Sequence, residues 1–259
     1  MKPATTITKV CRLLGELRTR PCMGVTDLAR RTDLLPSDVH RILTSLKPYG
    51  FVEQNPRTKM YRLGVGLMKL GLTVLQRNEF RSSARPLLQR LSLQTEATAH
   101  MAIYDSQEPD IFLAEQIDGV KDIPFQPKFG ISTNPHSTAL GKTILANIDH
   151  ETALRLLDKS GLPRCTPHTI TQLSALEAEL IKISKQGYGL DLEESAEGAC
   201  CIGAPVKDWT GDTVGAISVS MPANRFYAAY EPDLANMVKA TALELSASIG
   251  YQASLTSRH

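Results

Sequence analysis

The stretch VTDLARRTDLLPSDVHRILTSLKPYGFVEQNPRTKMYRL, residues 25–63, carries the pattern that decides the fold of the N-terminal part. Apolar spacing at residues 25–29 predicts a short helix, which Thr32-Asp33 interrupts. A second helix is predicted to begin after Pro36, with Ser37 as its N-cap. Its apolar face recurs at i, i+3, i+4 and i+7, and consists of Val39, Ile42, Leu43 and Leu46.

The rest of this stretch predicts a small hairpin with a basic tip. Pro48 and Gly50 end the second helix, and short strands are predicted at residues 51–53 and 60–63. Two helices joined by a tight turn and followed by a hairpin are typical of a winged helix-turn-helix, whose second helix enters the DNA major groove. The alternative is a helical hairpin and a β-hairpin that belong to a larger core.

Charge favours the DNA-binding interpretation. Residues 1–62 contain twelve Lys and Arg against five Asp and Glu, a net charge of +7. The remaining residues contain 17 Lys and Arg against 22 Asp and Glu, a net charge of −5. A basic segment attached to an acidic one is the electrostatic pattern of a phosphate-binding domain joined to a separate second domain.

The polar face of the second helix and the hairpin tip supply the predicted DNA contacts. Ser37, His40, Arg41 and Thr44 are expected to face base edges or adjacent phosphates. The hairpin tip is expected to touch the DNA backbone or the minor groove. The full predicted set is Thr26, Ser37, Asp38, His40, Arg41, Thr44, Lys47, Arg57 and Lys59.

Length and composition limit the class of protein. A chain of 259 residues, with 42% hydrophobic and 22% charged residues, has room for one small and one medium-sized domain. No apolar run approaches the roughly 18–20 residues that cross a membrane, and the polar, basic start does not resemble a signal peptide. We therefore expect a cytoplasmic protein with no membrane partner. Reduced thiols fit the five cysteines, which lack metal-finger spacing: Cys11, Cys22, Cys165, Cys200 and Cys201.

Helical patterns flank the winged segment on both sides. Residues 5–17 predict a helix that packs beneath the helix-turn-helix. Residues 64–76 predict a strongly apolar helix, either a linker that packs against a second subunit or a buried helix of the following domain. The expected division is a winged helix-turn-helix domain at 1–65, a linker helix at 66–79 and a second domain at 80–255.

The second domain combines helical and extended patterns. Helices are predicted at residues 82–94, 138–148, 152–157, 174–186 and 234–251. Strands are predicted at residues 97–104, 111–117, 125–131, 190–193, 199–205, 206–209 and 214–221. Helices that flank an antiparallel sheet make an α+β domain of the sensory type, so the chain as a whole is predicted to be a two-domain α+β protein.

The segment PHSTALGKT ends in Gly-Lys-Thr, the last residues of a phosphate-binding P-loop. His136 occupies the place of the glycine that opens such a loop, so a P-loop nucleotide hydrolase is rejected. What remains is a helix start with backbone N–H groups near Ala139 and Leu140, which favours an anion. The alternative is that Ser137 or Thr138 only caps its own helix.

The segment DLEESAEGACC begins at Asp191 and combines carboxylates with thiols. A thiol-dependent hydrolase using Cys201 is the alternative function, but no histidine follows in a catalytic arrangement, and His136 and His168 are distant in sequence. Burial as a small hydrophobic residue is the commoner fate of cysteine. A metal site formed by these histidines with Cys165 and Cys201 has no supporting spacing, and neither a metal nor another cofactor is predicted.

The strand pattern AISVSM places Ser218 and Ser220 on one face. Two hydroxyls that point into one cavity, together with the amides near Ala139, are suited to hold a small carboxylate. The competing interpretation is a serine face exposed to solvent.

Three segments carry more specific motifs. HRIL at residues 40–43 and GFVEQNPRTKMYRLG at residues 50–64 lie in the winged part, and HSTALGKTILA spans residues 136–146. Beyond these segments, a further motif consists of Gly187, Asp191, Glu194, Cys201, Ile202, Gly203, Val206 and Asp208. In these motifs the chain resembles the IclR family of transcriptional regulators over nearly its whole length. It departs from the family at Lys207, where an aromatic residue or histidine is usual, and at Asp38, where a small neutral residue is common.

The resemblance implies a GAF-like effector domain that binds a small organic or aromatic acid of a catabolic pathway. It also implies homodimers or homotetramers on palindromic operators, acting as repressor or activator and not as an enzyme. The family positions that line the effector cavity correspond here to Phe125, Thr133, Ala139, Leu140, Asp191, Ala199, Cys201, Ser218 and Ser220.

Overall fold

The computed structural model describes residues 5–77, 79–107, 109–119, 134–229 and 231–252. The chain divides into two compact units, and the second begins at Glu79. The first unit is helical with a two-stranded hairpin, and the second contains a five-stranded sheet with helices. The two-domain α+β class is therefore confirmed, whereas the strand predicted at residues 125–131 lies outside the described residues.

The first unit is a winged helix-turn-helix followed by one further helix. Its elements are α1 (Thr6–Thr19), α2 (Val25–Thr32), α3 (Pro36–Leu46), a 3₁₀ turn (Lys47–Tyr49), β1 (Val52–Gln54), β2 (Tyr61–Leu63) and α4 (Val65–Arg77). Buried apolar residues from the first three helices and the hairpin form its core. Tyr61 also exchanges two backbone hydrogen bonds with Met23, of 2.7 and 2.8 Å, which tie the hairpin to the segment before α2.

The start of α3 differs from the prediction. The assignment of Ser37 as the N-cap is wrong, because Leu35 holds that position and makes no side-chain cap hydrogen bond. Pro36 occupies the first helical turn instead, where its missing N–H is not needed and its fixed φ suits the helix. Ser37 consequently lies inside the first turn, and its side chain is exposed.

α4 exposes apolar side chains to solvent. Met68 is 58% exposed and Val74 is 64% exposed, and Val65, Leu70 and Leu72 are exposed as well. The interpretation of this segment as a buried helix is therefore wrong, and the linker interpretation stays a prediction.

The second unit is built around an antiparallel sheet with the strand order β4-β3-β7-β6-β5. The strands are β3 (Thr98–Asp105), β4 (Asp110–Ile117), β5 (Gly189–Leu192), β6 (Ala199–Lys207) and β7 (Thr213–Pro222). The helices are α5 (Glu79–Thr95), α6 (Ala139–Leu145), α7 (His150–Ser160), α8 (Leu173–Gln186), α9 (Ala223–Ala228) and α10 (Glu231–Ser248).

Two details of this unit differ from the sequence prediction. The separate strand at residues 206–209 is wrong, because β6 runs without interruption to Lys207. Pro205 does not break it, since pairing with β5 ends at Gly203 and leaves the following backbone without a ladder on that side. The six-residue helix α9 was also not predicted, because it is too short to show a helical period.

The two faces of the sheet pack against different helices. Ala99 and Met101 of β3 belong to a core with buried residues of α5 and α10. Ala102 belongs to a second core, which includes residues of α6, α7 and α8. Successive side chains of a strand point to opposite faces of the sheet. Every second residue of β3, β5, β6 and β7 therefore lies on the face that α6 covers.

Candidate DNA-binding surface and effector site

α3 has one buried apolar face and one exposed polar face. The apolar positions predicted from the sequence are all buried in the core of the first unit. The remaining side of the helix therefore points away from the core. The predicted base-contacting residues are exposed there: Ser37, His40, Arg41 and Thr44.

Asp38 lies beside this surface and pairs with two cations. Its carboxylate accepts a hydrogen bond from Lys9 at 2.8 Å and lies 3.3 Å from a guanidinium nitrogen of Arg41. The hydrogen bond from Lys9, followed by that from Arg41, lowers the pKa of Asp38. Since Asp38 is therefore ionised at neutral pH, it offsets part of the positive charge that the sequence places on α3.

The hairpin tip is shaped by a short side-chain turn. Asn55 Oδ1 accepts hydrogen bonds from the backbone N–H groups of Arg57 at 2.9 Å and Thr58 at 3.1 Å. Lys59 then adopts a left-handed conformation with φ of 60°. Arg57 and Lys59 are both exposed at this tip. Asx turns of this kind fix a tight loop without apolar packing, so two cations stay accessible.

Two predicted contact residues lie at the margins of this region. Thr26 is exposed in the first turn of α2. Lys47 is exposed at the end of α3 and donates to Gln54 Oε1 at 3.4 Å, next to the hairpin. All nine predicted DNA-contacting residues therefore belong to the first unit, and every one except the half-buried Asp38 is exposed.

The sheet face of the second unit carries two rows of polar side chains. In the first row, strand pairing places Thr98 opposite Ser220, Ser220 opposite Cys201, and Cys201 opposite Asp191. The row thus joins β3, β7, β6 and β5 across the sheet. Three of its four members were predicted effector-site residues, and they are as far as 29 positions apart along the chain.

The second row contains a residue that the sequence analysis missed. His100 pairs with Ser218 on one side and with Gln116 on the other. His100 and Ser218 are each 2% exposed and Ser220 is 7% exposed, so the interpretation of a solvent-exposed serine face is wrong. The only sequence signal for His100 was its alternation with the apolar residues Ala99 and Met101, and that pattern does not reveal its strand partners.

Hydrogen bonds connect the two rows. The Ser220 hydroxyl donates to Cys201 Sγ at 3.0 Å and lies 3.3 Å from His100 Nδ1. His100 Nε2 is buried without a hydrogen-bond partner in the described part of the chain. Burial lowers the pKa of His100 to about 4, so the imidazole is neutral at physiological pH.

α6 lies directly on these strands. Thr138 Oγ1 accepts a hydrogen bond from the Gly141 N–H at 3.1 Å, so this hydroxyl caps its own helix. Ala139 and Leu140, in the first turn, are buried. A Cβ atom at Gly189 of β5 would lie 2.5 Å from Thr143 Oγ1 and 3.2 Å from the Ala139 carbonyl oxygen, so the absence of a side chain at this position permits the close approach of α6.

The lysine of Gly-Lys-Thr has a structural partner in place of a phosphate. Lys142 is fully buried and pairs with Glu194. Asp191 holds the adjacent loop by accepting from the backbone N–H groups of Glu194 at 2.8 Å and Ser195 at 3.2 Å. Burial raises the pKa of Asp191, and these hydrogen bonds oppose the shift. Lys142, Glu194 and Asp191 thus form a buried ionic network beside the polar rows of the sheet.

Cys201 is poorly suited to act as a nucleophile. Burial, together with the nearby Asp191, raises its pKa well above the ordinary value. The reactive form of cysteine is the thiolate, which is disfavoured here. Its hydroxyl neighbour Ser220 donates to the sulfur and does not deprotonate it. The thiol-dependent hydrolase therefore has no chemical support at this position.

The remaining predicted residues divide into two groups. Ala199 is buried on β6, two residues before Cys201 and on the same face. Phe125 and Thr133 lie outside the described residues.

Among the residues that are described, no group of three or more His, Cys, Asp or Glu side chains is placed to hold a metal. His136 instead contacts the carbonyl oxygen of Pro163 through Nε2 at 3.0 Å.

Comparison with known proteins identifies relatives of both units. The IclR helix-turn-helix domain family matches residues 6–56, and the bacterial transcriptional regulator IclR C-terminal family matches residues 72–247. The chain is 32% identical over 247 residues to the HTH-type transcriptional regulator KdgR of Escherichia coli (strain K12), covering 95% of this chain and 93% of KdgR.

Solved structures show the same arrangement. Thermotoga maritima IclR is 29% identical with a TM-score of 0.66, and the match covers 95% of this chain and 99% of that one. An IclR homolog of Microbacterium hydrocarbonoxydans, solved in complex with 4-hydroxybenzoate, has a TM-score of 0.76 at 22% identity, with the same coverage.

The relatives also bear on the class of activity. KdgR and the Escherichia coli repressor IclR are transcriptional regulators and not enzymes. None of the helices that the structure describes is long and apolar enough to cross a bilayer. A helix-turn-helix family and an effector-binding C-terminal family together account for most of the sequence. The chain therefore belongs to the IclR family of bacterial transcriptional regulators.

Proposed function

We propose that this regulator binds a palindromic operator as a homodimer or homotetramer in the cytoplasm, and that a small organic or aromatic acid modulates this binding. The observation that carries the proposal is the exposed polar face of α3, held outward by an apolar face that is entirely buried. Repression or activation then depends on where the operator lies relative to the promoter.

On DNA, α3 enters the major groove and the hairpin follows the backbone or minor groove. Arg41 is the best candidate for a bidentate contact to guanine, because guanidinium geometry matches the O6 and N7 acceptors. Ser37, His40 and Thr44 contact neighbouring bases or phosphates. Thr26, Lys47, Arg57 and Lys59 position the domain through phosphates, and Asp38 orients Arg41 through their ion pair.

A two-fold assembly matches a palindromic operator, since each helix-turn-helix reads one half-site. The exposed apolar residues of α4 support self-association. Val65, Met68 and Leu72 recur at i, i+3 and i+7, the spacing of a helix–helix seam. Single exposed apolar residues are common, but five on a helix of thirteen residues favour a covered surface.

The effector is proposed to lie between the sheet face and α6. The hydroxyl group of Ser218, with the first-turn amides of Ala139 and Leu140, supplies neutral donors for a carboxylate, and Ser220 lines the site beside it. Asp191 acts on the site through the loop that it holds. The complex of the Microbacterium hydrocarbonoxydans homolog with 4-hydroxybenzoate supports an aromatic acid as one candidate class. Ala199, Cys201, Phe125 and Thr133 complete the proposed lining.

The DNA proposal is tested by comparing two arginines in the same local setting. Arg41 pairs with Asp38 three residues earlier on α3, and Arg30 pairs with Asp27 three residues earlier on α2. An operator is first selected from a pool of random duplexes with the wild-type protein. We expect Arg41→Ala to weaken binding to it by about 1–3 kcal/mol and to relax base preference at one position per half-site.

Arg30→Ala removes the same charge and serves as the control. It is expected to leave the selected base preference unchanged. Fluorescence anisotropy with operator and scrambled duplexes measures both effects. Equal operator affinity for wild type and Arg41→Ala contradicts the assignment of α3 as the recognition helix.

A further inference from the structure

We propose that His100 recognises the effector through an unprotonated Nε2, which accepts a hydrogen bond from a hydroxyl group, so that the effector is a hydroxylated acid. The inference rests on the proposed function in one respect, namely that an acid binds on this sheet face. It adds the position and the chemistry of a second recognition group.

Ser220 determines which nitrogen of His100 carries the proton. A hydroxyl has one hydrogen, and the Ser220 hydrogen is directed to Cys201 Sγ at 3.0 Å. The contact of 3.3 Å between Ser220 Oγ and His100 Nδ1 then needs a donor on the histidine. Nδ1 must therefore carry the proton. In a neutral imidazole, Nε2 is then left with a free lone pair.

Cys201, the next residue of the row, is consistent with this direction. Burial, together with its strand partner Asp191, raises the pKa of the Cys201 thiol, which therefore stays protonated. The sulfur accepts the hydrogen bond from the Ser220 hydroxyl. The order of donation is thus His100 to Ser220 and Ser220 to Cys201.

Nε2 of His100 is left as a buried acceptor. The residue is 2% exposed, and Nε2 has no hydrogen-bond partner in the described part of the chain. Leaving such an atom without a partner is unfavourable, and a ligand donor removes this cost on binding. Burial lowers the pKa of the ring, and it outweighs the opposing effects of the Asp118 charge and the Gln116 side chain, which both favour the protonated form.

The chemistry of the partner follows from this environment. A carboxylate cannot donate to Nε2, so the acid group of the effector must bind elsewhere, at a donor such as the Ser218 hydroxyl. An ammonium group can donate, but moving a cation into a buried site is far more costly than moving a neutral group. A neutral donor is required, and a hydroxyl group is the simplest one that a small organic acid carries. The effector therefore carries a carboxylate and a hydroxyl group.

The acceptor assignment is tested directly by NMR on the full-length protein with ¹⁵N-labelled histidine. Long-range ¹H–¹⁵N correlations distinguish the two neutral tautomers, and His100→Gln identifies the signals by their loss. We expect His100 to be protonated at Nδ1 only, near pH 7. Protonation at Nε2, or at both nitrogens, overturns the proposal. In Ser220→Ala, the ring is expected to gain a population of the other tautomer.

Ligand selectivity is tested with two sets of probes: 4-hydroxybenzoate, 4-methoxybenzoate and benzoate, and lactate, 2-methoxypropanoate and propanoate. A methoxy group keeps the acceptor oxygen but cannot donate. Isothermal titration of the wild-type protein is expected to show binding of the hydroxy acid about ten-fold tighter than its methoxy analogue in at least one set. In His100→Phe, this preference is expected to fall to less than about two-fold.

Failure of this inference differs from failure of the proposed function. Equal binding of hydroxy and methoxy acids to the wild-type protein overturns the hydroxyl assignment and leaves acid binding intact. Effector binding is overturned if none of the six acids binds the protein and none of them changes its affinity for the operator. The tautomer measurement requires no ligand and decides the state of His100 in either case. Binding of the selected operator by His100→Phe verifies that the variant is folded.

Discussion

The recognition surface of α3 and the sheet face beneath α6 are both rich in polar residues, but they differ in exposure. On α3, Arg41 has a side-chain exposure of 66%, and its ion-pair partner Asp38 has 26%. On the sheet, His100 and Ser218 are each 2% exposed and are bonded or packed within the unit. The first surface is open to a large partner, and the second is not.

This difference has energetic consequences. Exposed ion pairs contribute little to stability because water screens them and the side chains must be ordered. Buried polar groups stabilise the fold only when every partner is present, and leaving one unpaired is costly. Substitutions on α3 should therefore change DNA binding with little loss of stability. Substitutions near the sheet face should change stability, ligand binding or both.

The largest expected effect is on the buried pair of Lys142 and Glu194. Lys142→Met leaves the Glu194 carboxylate buried without its cation, and we expect a loss of about 3–5 kcal/mol in the free energy of unfolding. Urea unfolding followed by circular dichroism measures it. The control is Arg90→Met, which breaks the exposed pair of Arg90 with Glu244 and is expected to cost less than about 1 kcal/mol. Similar losses in both variants contradict the distinction between the two environments.

A smaller effect is expected from the titration of His100. Its pKa is about 4 in the folded state and 6.5 in the unfolded chain, so the unfolded state binds the proton between these values. Stability from the neutral ring is therefore complete above pH 6.5 and is lost as the pH falls towards 4. The loss amounts to about 3 kcal/mol at most.

The measurement compares urea unfolding at pH 7 and pH 4.5 for the wild type, His100→Gln and the control His168→Gln. His168 is exposed and has no comparable burial. We expect the decrease in the free energy of unfolding between pH 7 and pH 4.5 to be smaller in His100→Gln than in the other two proteins. An identical pH dependence in all three contradicts the buried neutral state of His100.

The smallest expected effect concerns Asp38. Asp38→Asn removes a negative charge beside the recognition surface and releases Lys9 and Arg41 from their pairs. We expect a few-fold increase in affinity for non-specific DNA and a steeper salt dependence, because more cations can contact phosphates. The control Asp27→Asn releases Arg30 in the same way on α2. A decrease in non-specific affinity for Asp38→Asn contradicts the inhibitory role of this carboxylate.

The two regions also differ in how far the sequence predicts them. The helices and hairpin of the first unit depend on local signals, namely apolar spacing, Pro48, Gly50 and a basic turn, so the exposed set on α3 is recognisable from a short window. Ser37 was assigned as the N-cap because serine is a common N-cap residue. In the structure the helix begins one residue earlier, at Pro36, and Leu35 is the N-cap.

The sheet face depends on pairing between distant residues, which no local pattern encodes. Ser218 and Ser220 were recognisable by alternation, but their proximity to His100 follows from the β3–β7 register across about 120 positions of sequence. The pairing of Lys142 with Glu194 likewise joins residues 52 positions apart. The family resemblance predicts Asp191 and Cys201 as effector-site residues, but their hydrogen-bond partners emerge only from the fold.

The central claim is that DNA recognition and effector recognition reside in separate units, and one paired experiment tests it most directly. Operator affinity and acid-induced thermal stabilisation are measured for the wild type, Arg41→Ala, and the double variant of Ser218→Ala with Ser220→Ala. An acid at 100 times its dissociation constant stabilises the wild type by about 2.7 kcal/mol. We predict that Arg41→Ala loses operator affinity and keeps the acid-induced stabilisation. The double serine variant is predicted to keep operator affinity and to lose the acid-induced stabilisation. Full acid stabilisation in the serine variant, or its loss in Arg41→Ala, would contradict the account.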